Sequence, residues 1–247
     1  MKYLSVCLSI IVLFSFFTVH AAADAEKEVL NKYNLIDDGF ENTDTVTRLE
    51  CLVAVMNAAG VTEEIAEDTT YLLVDPWYGT RHENSYYDFS EIYTDPVTVS
   101  EFSSKYCEKW TYLELAFYHG IAKGEMFHGK PCFFIERPVT AKEAVTFMLR
   151  CVEKSTDISW NEAYEKAKER NLVKESDVFY NDEDFLITPD EFCILLYRFL
   201  NQHRYVYFVN DFFDANGDGI EHILRDETGS MTYIEYLEQV SLSRERD

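Results

Sequence analysis

Asp214-Ala215-Asn216-Gly217-Asp218-Gly219 is the stretch of this chain whose residue types and spacing come nearest to a metal site. Oxygen-bearing side chains at alternate positions, with a glycine at the sixth for a sharp turn, are what a hard cation such as Ca²⁺ requires of a loop. The twelfth position, where an EF-hand loop carries a bidentate acid, is Arg225, and the next acid, Asp226, comes one place late. The ninth, where a shorter calcium turn carries an acid, is His222. Two readings stay open: a weak Ca²⁺ site on Asp214, Asn216 and Asp218, or a metal-free turn held by its own Asx hydrogen bonds. Calcium titration against an Asp214→Ala control separates them.

Other combinations are less specific. His119, His128 and Cys132 are zinc-ligand types, but their spacing matches no common site, and His119 reads as a cation at a helix C-terminus. Carboxylate pairs are too common in so acidic a chain to identify a glycosidase. There is no G-x-S-x-G, H-E-x-x-H, phosphate-binding loop or dinucleotide fingerprint. The expectation is therefore a non-catalytic protein that requires no cofactor. Trp77, Tyr78, Tyr86, Tyr87 and Tyr93 offer aromatic faces that could stack on sugars or pack their own segment onto the fold.

The elements that would position such groups are announced by a recurring phrase. Val46-Thr47-Arg48-Leu49-Glu50, Val139-Thr140-Ala141-Lys142-Glu143 and Ile187-Thr188-Pro189-Asp190-Glu191 share a Thr three residues before a Glu, and Val97-Thr98-Val99-Ser100-Glu101 is a fainter copy. Each reads as a capping box, in which the Thr oxygen accepts from the N3 amide and the Glu reaches back to the N-cap amide. Apolar residues three and four apart follow each box, as a core-facing helix requires: Leu52, Val55 and Met56; Ala144, Val145 and Met148; Phe192, Leu195 and Phe199. Gly60 closes the first helix as a C′ residue.

Upstream of each box a second helix is expected to end at Asn34, Gly120 or Asn171 in a left-handed cap, followed by an apolar pair. The unit is helix, loop, capped helix, and it occurs three times. The interval from Thr47 to Thr140 is nearly twice that from Thr140 to Thr188, and the excess reads as an inserted loop region. The expected organisation is a first unit over 24–64, the insert over 65–96, a second unit over 97–154, a third over 155–203 and a C-terminal extension over 204–247.

Residues 1–23 have the layout of a secretory signal peptide: Lys2, an apolar run from Leu4 to Phe17, and a small-residue exit at Ala21-Ala22-Ala23. No later run is long enough to cross a bilayer, so a secreted chain is expected once this leader is removed. With 45 acidic against 22 basic residues and a net charge of −23, nucleic acid is an unsuitable partner. Apolar residues at 47% and aromatics at 15% argue for a packed core rather than disorder. Cys51, Cys107, Cys132, Cys151 and Cys193 show no C-x-x-C, and three fall in apolar helical patterns, which suits buried thiols better than a disulfide framework.

On Ala116-Phe117-Tyr118-His119-Gly120-Ile121-Ala122-Lys123-Gly124, Phe134 and Pro138-Val139-Thr140-Ala141-Lys142-Glu143-Ala144, and on the boxes at Thr47 and Thr188 in register with them, the chain resembles the S-layer homology (SLH) family. The resemblance covers most of residues 25–202. It implies a mainly α fold of three helix-loop-helix repeats in a pseudo-threefold bundle. It also implies non-covalent attachment to acidic, often pyruvylated, secondary cell-wall polysaccharide at a bacterial cell surface. The family's ligand contact centres on an Arg in the phrase Ile-Thr-Arg-Ala-Glu. Here Arg48 holds that place between Thr47 and Glu50; the matching positions are Ala141 and Pro189, and Lys142 stands one residue later on another side of its helix. Arg48, Thr47, Glu50 and Lys142 are thus the candidate glycan contacts. A guanidinium can grip a carboxylate in two parallel hydrogen bonds. The alternative for Arg48 is a solvent-facing first helical residue, and for Thr47 a cap alone. Two other functions stay open: a secreted interaction module that kept the fold without glycan binding, and a secreted hydrolase.

Overall fold

The computed structural model describes residues 26–36, 40, 43–60, 109, 112–113, 116, 120–127, 130–152, 158–203 and 231–244. The expected leader, the insert 65–96, the box at Thr98 and the turn at 214–219 lie outside the described residues. Residues 26–32 are helical. Along the chain follow α1 (Arg48–Ala58), a hairpin of β1 (Glu125–Phe127) and β2 (Lys130–Cys132), α2 (Ala141–Val152), α3 (Ala163–Glu169), α4 (Pro189–Leu200) and α5 (Tyr233–Arg244). The described part is mainly α. The antiparallel hairpin, which pairs Glu125 with Cys132, was not foreseen, because three-residue strands are too short to leave an alternating pattern.

The boxes start their helices as the residue types require. Thr47 Oγ1 accepts from the Glu50 amide at 3.2 Å, and Glu50 Oε2 accepts from the Thr47 amide at 2.8 Å. Thr140 and Glu143 exchange the same bonds at 3.3 and 3.0 Å, and Thr188 and Glu191 at 3.5 and 3.0 Å. The residues before the three Thr meet in a closed cycle of backbone hydrogen bonds. Val139 N donates to Val46 O at 2.8 Å, Ile187 N to Val139 O at 3.1 Å, and Val46 N to Ile187 O at 3.0 Å. All three side chains are fully buried.

Around this ring the helix starts reach sideways. The first and second amides of α1, Arg48 and Leu49, donate to the carbonyls of Arg137 and Ile135. Those of α2, Ala141 and Lys142, donate to Phe185 and Glu183, the matching places before the next box. Two β-bridges result, Thr47 with Pro138 and Thr140 with Leu186. The corresponding amide of α4 would belong to Pro189, which has no N–H. Among the described residues that joint keeps the Val46–Ile187 bond of the ring and shows no third bridge.

The helices upstream of the boxes end as their sequences demand. Asn34, Gly120 and Asn171 have φ of 53°, 68° and 59°. After each, the next amide donates back to the helix: Leu35 to Leu30, Ile121 to Ala116 and Leu172 to Ala167, the long bond of a Schellman cap. Leu30, Leu35, Leu113, Ile121, Leu172 and Phe179 thereby enter one continuous core with Leu52, Met56, Phe192 and Phe199. Burial of such side chains contributes about 1.5–3 kcal/mol each. α1 packs on α2 and α4, and α2 on α3. Cys51, Cys151 and Cys193 are buried free thiols.

The C-terminal helix brings a capping box that the sequence reading passed over. Thr232 N donates to Glu235 Oε2 at 2.8 Å, and Glu235 N to Thr232 Oγ1 at 3.3 Å. Met231 stands where the other boxes carry Val or Ile, which hid the match. Tyr233, fully buried, then stacks on Phe199 at 4.6 Å and donates its hydroxyl to Cys151 O at 2.7 Å. This pins α5 to α4 and α2. Among the described residues no helix is long and apolar enough to cross a membrane.

Candidate functional site

A groove of about 770 Å³ opens beside the ring, walled by α1, the hairpin approach, α2 and the segments flanking α3. That volume falls in the range of ordinary ligand sites. Arg48, Arg137 and Arg150 line it together with Glu125 and Glu143, and Trp160 stands at it with 46% of its surface exposed. Four elements supply these groups: Arg48 is the first residue of α1, Glu125 opens β1, Glu143 and Arg150 lie in α2, and Trp160 precedes α3.

Arg48 is neither in solvent nor free. It is 4% exposed, its guanidinium carbon lies 4.5 Å above the Phe133 ring, and its Nη1 donates to Glu125 Oε1 at 3.2 Å. Its Nε lies 3.6 Å from Glu143 Oε1. Arg137 Nη2 donates to the same oxygens of Glu125 and Glu143. Glu143 therefore does two tasks: Oε2 caps α2 through Thr140, and Oε1 faces the two arginines. Burial pulls the Arg48 guanidinium below its ordinary value and Glu143 opposes it. Burial acts on Arg137 as well, but hydrogen bonding and charge from Glu125 and Glu143 outweigh it and leave that group raised.

Phe134, at φ 59°, occupies the left-handed region that a bulky side chain enters at a cost of order 1–3 kcal/mol. The neighbouring Phe133 is buried beneath Arg48, and the Phe134 carbonyl accepts from the Arg137 amide at 3.1 Å. The strained turn thus lies next to the paired arginines.

The remaining sequence candidates sit as follows. Thr47 and Glu50 close on one another, with Thr47 Oγ1 donating to Glu50 Oε2 at 2.7 Å, and serve as a cap. Lys142 is buried and is not among the residues lining the groove; its Nζ binds Glu183 at 2.8 Å and lies 5.0 Å over the Trp160 ring. Asp214, Asn216 and Asp218 lie outside the described residues. Of the four proposed glycan contacts, the fold brings only Arg48 to the groove.

Sequence reading missed Arg150, Arg198, Arg137 and Trp160. For the first two a signal existed, since each stands at the same distance beyond its box threonine. Arg150 Nη1 donates to Ile121 O and Arg198 Nη1 to Leu172 O, both at 2.8 Å, and these carbonyls hold equivalent places just past the left-handed caps. In α1 the matching residue is Asn57, whose side chain accepts from Tyr112 instead. No family model, curated protein or solved structure matches the chain.

Proposed function

We propose that this chain is an exported, non-catalytic cell-envelope protein built from three SLH-like repeats, and that it attaches to acidic wall polysaccharide through the groove beside its central ring. The repeat reading draws support from the cyclic bonding of Val46, Val139 and Ile187, and from the matched left-handed caps at Asn34, Gly120 and Asn171. The glycan reading rests on one observation. An exposed indole, Trp160, shares a groove with Arg150, whose Nε is buried without an acceptor among the described residues. Aromatic faces stack on the apolar faces of sugar rings, and guanidinium donors take acidic substituents. Buried donors without partners are uncommon in folded proteins, and an anionic ligand would satisfy them.

The test is sedimentation with purified bacterial walls. Wild-type protein is expected to pellet with walls carrying acidic polysaccharide and to remain in solution when that polymer is extracted. Trp160→Ala, at an exposed position, is expected to keep the fold and lose most of the binding. A folded wild-type protein that ignores intact walls overturns the proposal. It would favour the second reading, an interaction module without glycan recognition. The pairing of Arg48 with Glu125 and Glu143 speaks for that alternative, because the box arginine already has internal carboxylates.

A further inference from the structure

Resting on the glycan reading above, we infer that the acidic group of the ligand is received by Arg150 and Lys123, not by the box arginine Arg48. Arg150 is 6% exposed and lines the groove. Its Nη1 is engaged by Ile121 O at 2.8 Å, while among the described residues its Nε is buried with no acceptor and its Nη2 makes no hydrogen bond. Its Nη2 is thus left to donate to a carboxylate from outside the chain. Lys123, exposed on the same groove, forms no ion pair among the described residues. Burial and then the Arg150 charge hold its ammonium below the ordinary value. Two like charges face one groove here, and among the described residues no carboxylate offsets either.

The third unit shows what such an arginine does when a carboxylate is at hand. Arg198 stands where Arg150 stands and binds the equivalent carbonyl, Leu172 O. Asp177 then takes its Nη1 at 2.6 Å and its Nη2 at 2.8 Å. At the matching place past Ile121 the second unit has Met126. The acid that the third unit supplies from its own chain has no counterpart among the described residues of the second, where Arg150 lines the groove. The other groove carboxylates do not substitute. Glu125 and Glu143 are engaged by Arg48 and Arg137, and Asp184 is an exposed residue of the loop before the third box. The ligand class is therefore a sugar acid, with its carboxylate on Arg150 and Lys123 and its ring toward Trp160.

Calorimetric titration of the folded chain with D-glucuronate at low salt, with D-glucose as the neutral control, tests this. Saturable binding of glucuronate and none of glucose is expected. Lys123→Ala, at an exposed position, should weaken glucuronate about tenfold, since a hydrogen bond to a charged group is lost. Arg150→Lys should weaken it similarly, and Arg48→Lys should stay within about twofold. No glucuronate binding by wild type, undiminished binding by Lys123→Ala, or an equal loss in Arg48→Lys overturns the inference. Wall sedimentation separates it from the broader reading. Lys123→Ala that still pellets like wild type refutes this subsite and leaves wall attachment standing. Glucuronate binding through Lys123 in a protein that ignores walls supports the subsite and refutes wall attachment.

Discussion

Arg48 Nε and Glu143 Oε1 lie 3.6 Å apart, and each side chain is only 5% exposed. The two residues open different helices, so the acid that caps α2 also neutralises the arginine that begins α1. Arg48→Ala should therefore destabilise the fold by about 3 kcal/mol, the typical cost of removing one partner from a buried pair. Urea unfolding measures it. A loss below about 0.5 kcal/mol would mean that Arg137 alone satisfies Glu143. Loss of wall binding in this variant therefore cannot by itself identify Arg48 as a ligand contact.

Gly60 has φ 92°, and a methyl group at its Cα would come 2.7 Å from Cε1 of Tyr236 on α5. Gly60→Ala should cost about 1–2 kcal/mol from the backbone conformation alone, and more from the ring contact. Adding Tyr236→Ala should remove the steric part, so the double variant should be less destabilised than the sum of the two single variants. Additive losses would place the whole effect in the backbone.

Pro189 withholds an amide at the third joint of the ring. Pro189→Ala should supply an N–H able to donate to the Asp44 carbonyl, the counterpart of the Arg137 and Phe185 acceptors. Amide hydrogen exchange at residue 189 is the readout. Slow exchange, comparable to Arg48 and Ala141, is expected; exchange at the rate of an exposed helix start would contradict the equivalence of the three joints.

Three groups are held neutral inside the fold. Burial pushes the Cys151 thiol up to about 12, Cys51 is raised well above its ordinary value by burial and by Glu143, and Tyr164 is raised by burial and by Asp177. The Tyr164 hydroxyl donates to Phe179 O. On unfolding, these groups ionise at their ordinary values, about 8.5 for thiols and about 10 for tyrosine. The unfolded chain then binds fewer protons, so stability falls as pH rises above about 8.5, by up to about 1.4 kcal/mol per pH unit for each group. Below that range these groups contribute no pH dependence. Urea midpoints between pH 7 and pH 10.5 test the sign. Thiol reagents at pH 8 should meanwhile leave Cys51, Cys151 and Cys193 unmodified until the protein unfolds.

What the sequence revealed was local. The three boxes, the caps at Asn34, Gly120 and Asn171 and the closing Gly60 rest on bonds between neighbours in the chain, and residue type alone signals them. The box at Thr232 follows the same chemistry, but Met231 stands where the other three carry a β-branched residue, so the shared phrase is broken there. The site was largely illegible. Arg48 reads as an exposed first-turn residue until the chain folds and brings Phe133, Glu125 and Glu143 to it. Glu143 reads as a cap, which it is, and nothing nearby in sequence reports the oxygen it turns toward Arg137. Arg150 and Arg198 look alike along the chain, and only the positions of Asp177 and Met126 make one satisfied and the other open.

The ring of Val46, Val139 and Ile187 also bears on the order of assembly. Each member has its amide and carbonyl satisfied by the two other members, so any two of them alone leave one donor and one acceptor facing the place of the third. Stability from this joint arrives only when the third member docks, after segments far apart in sequence have met. Such closure is governed by loop entropy, which grows only slowly with loop length. The long segment between the first two boxes therefore adds little to the difficulty of closing, and fragments holding two of the three boxes should remain open and prone to pair with one another.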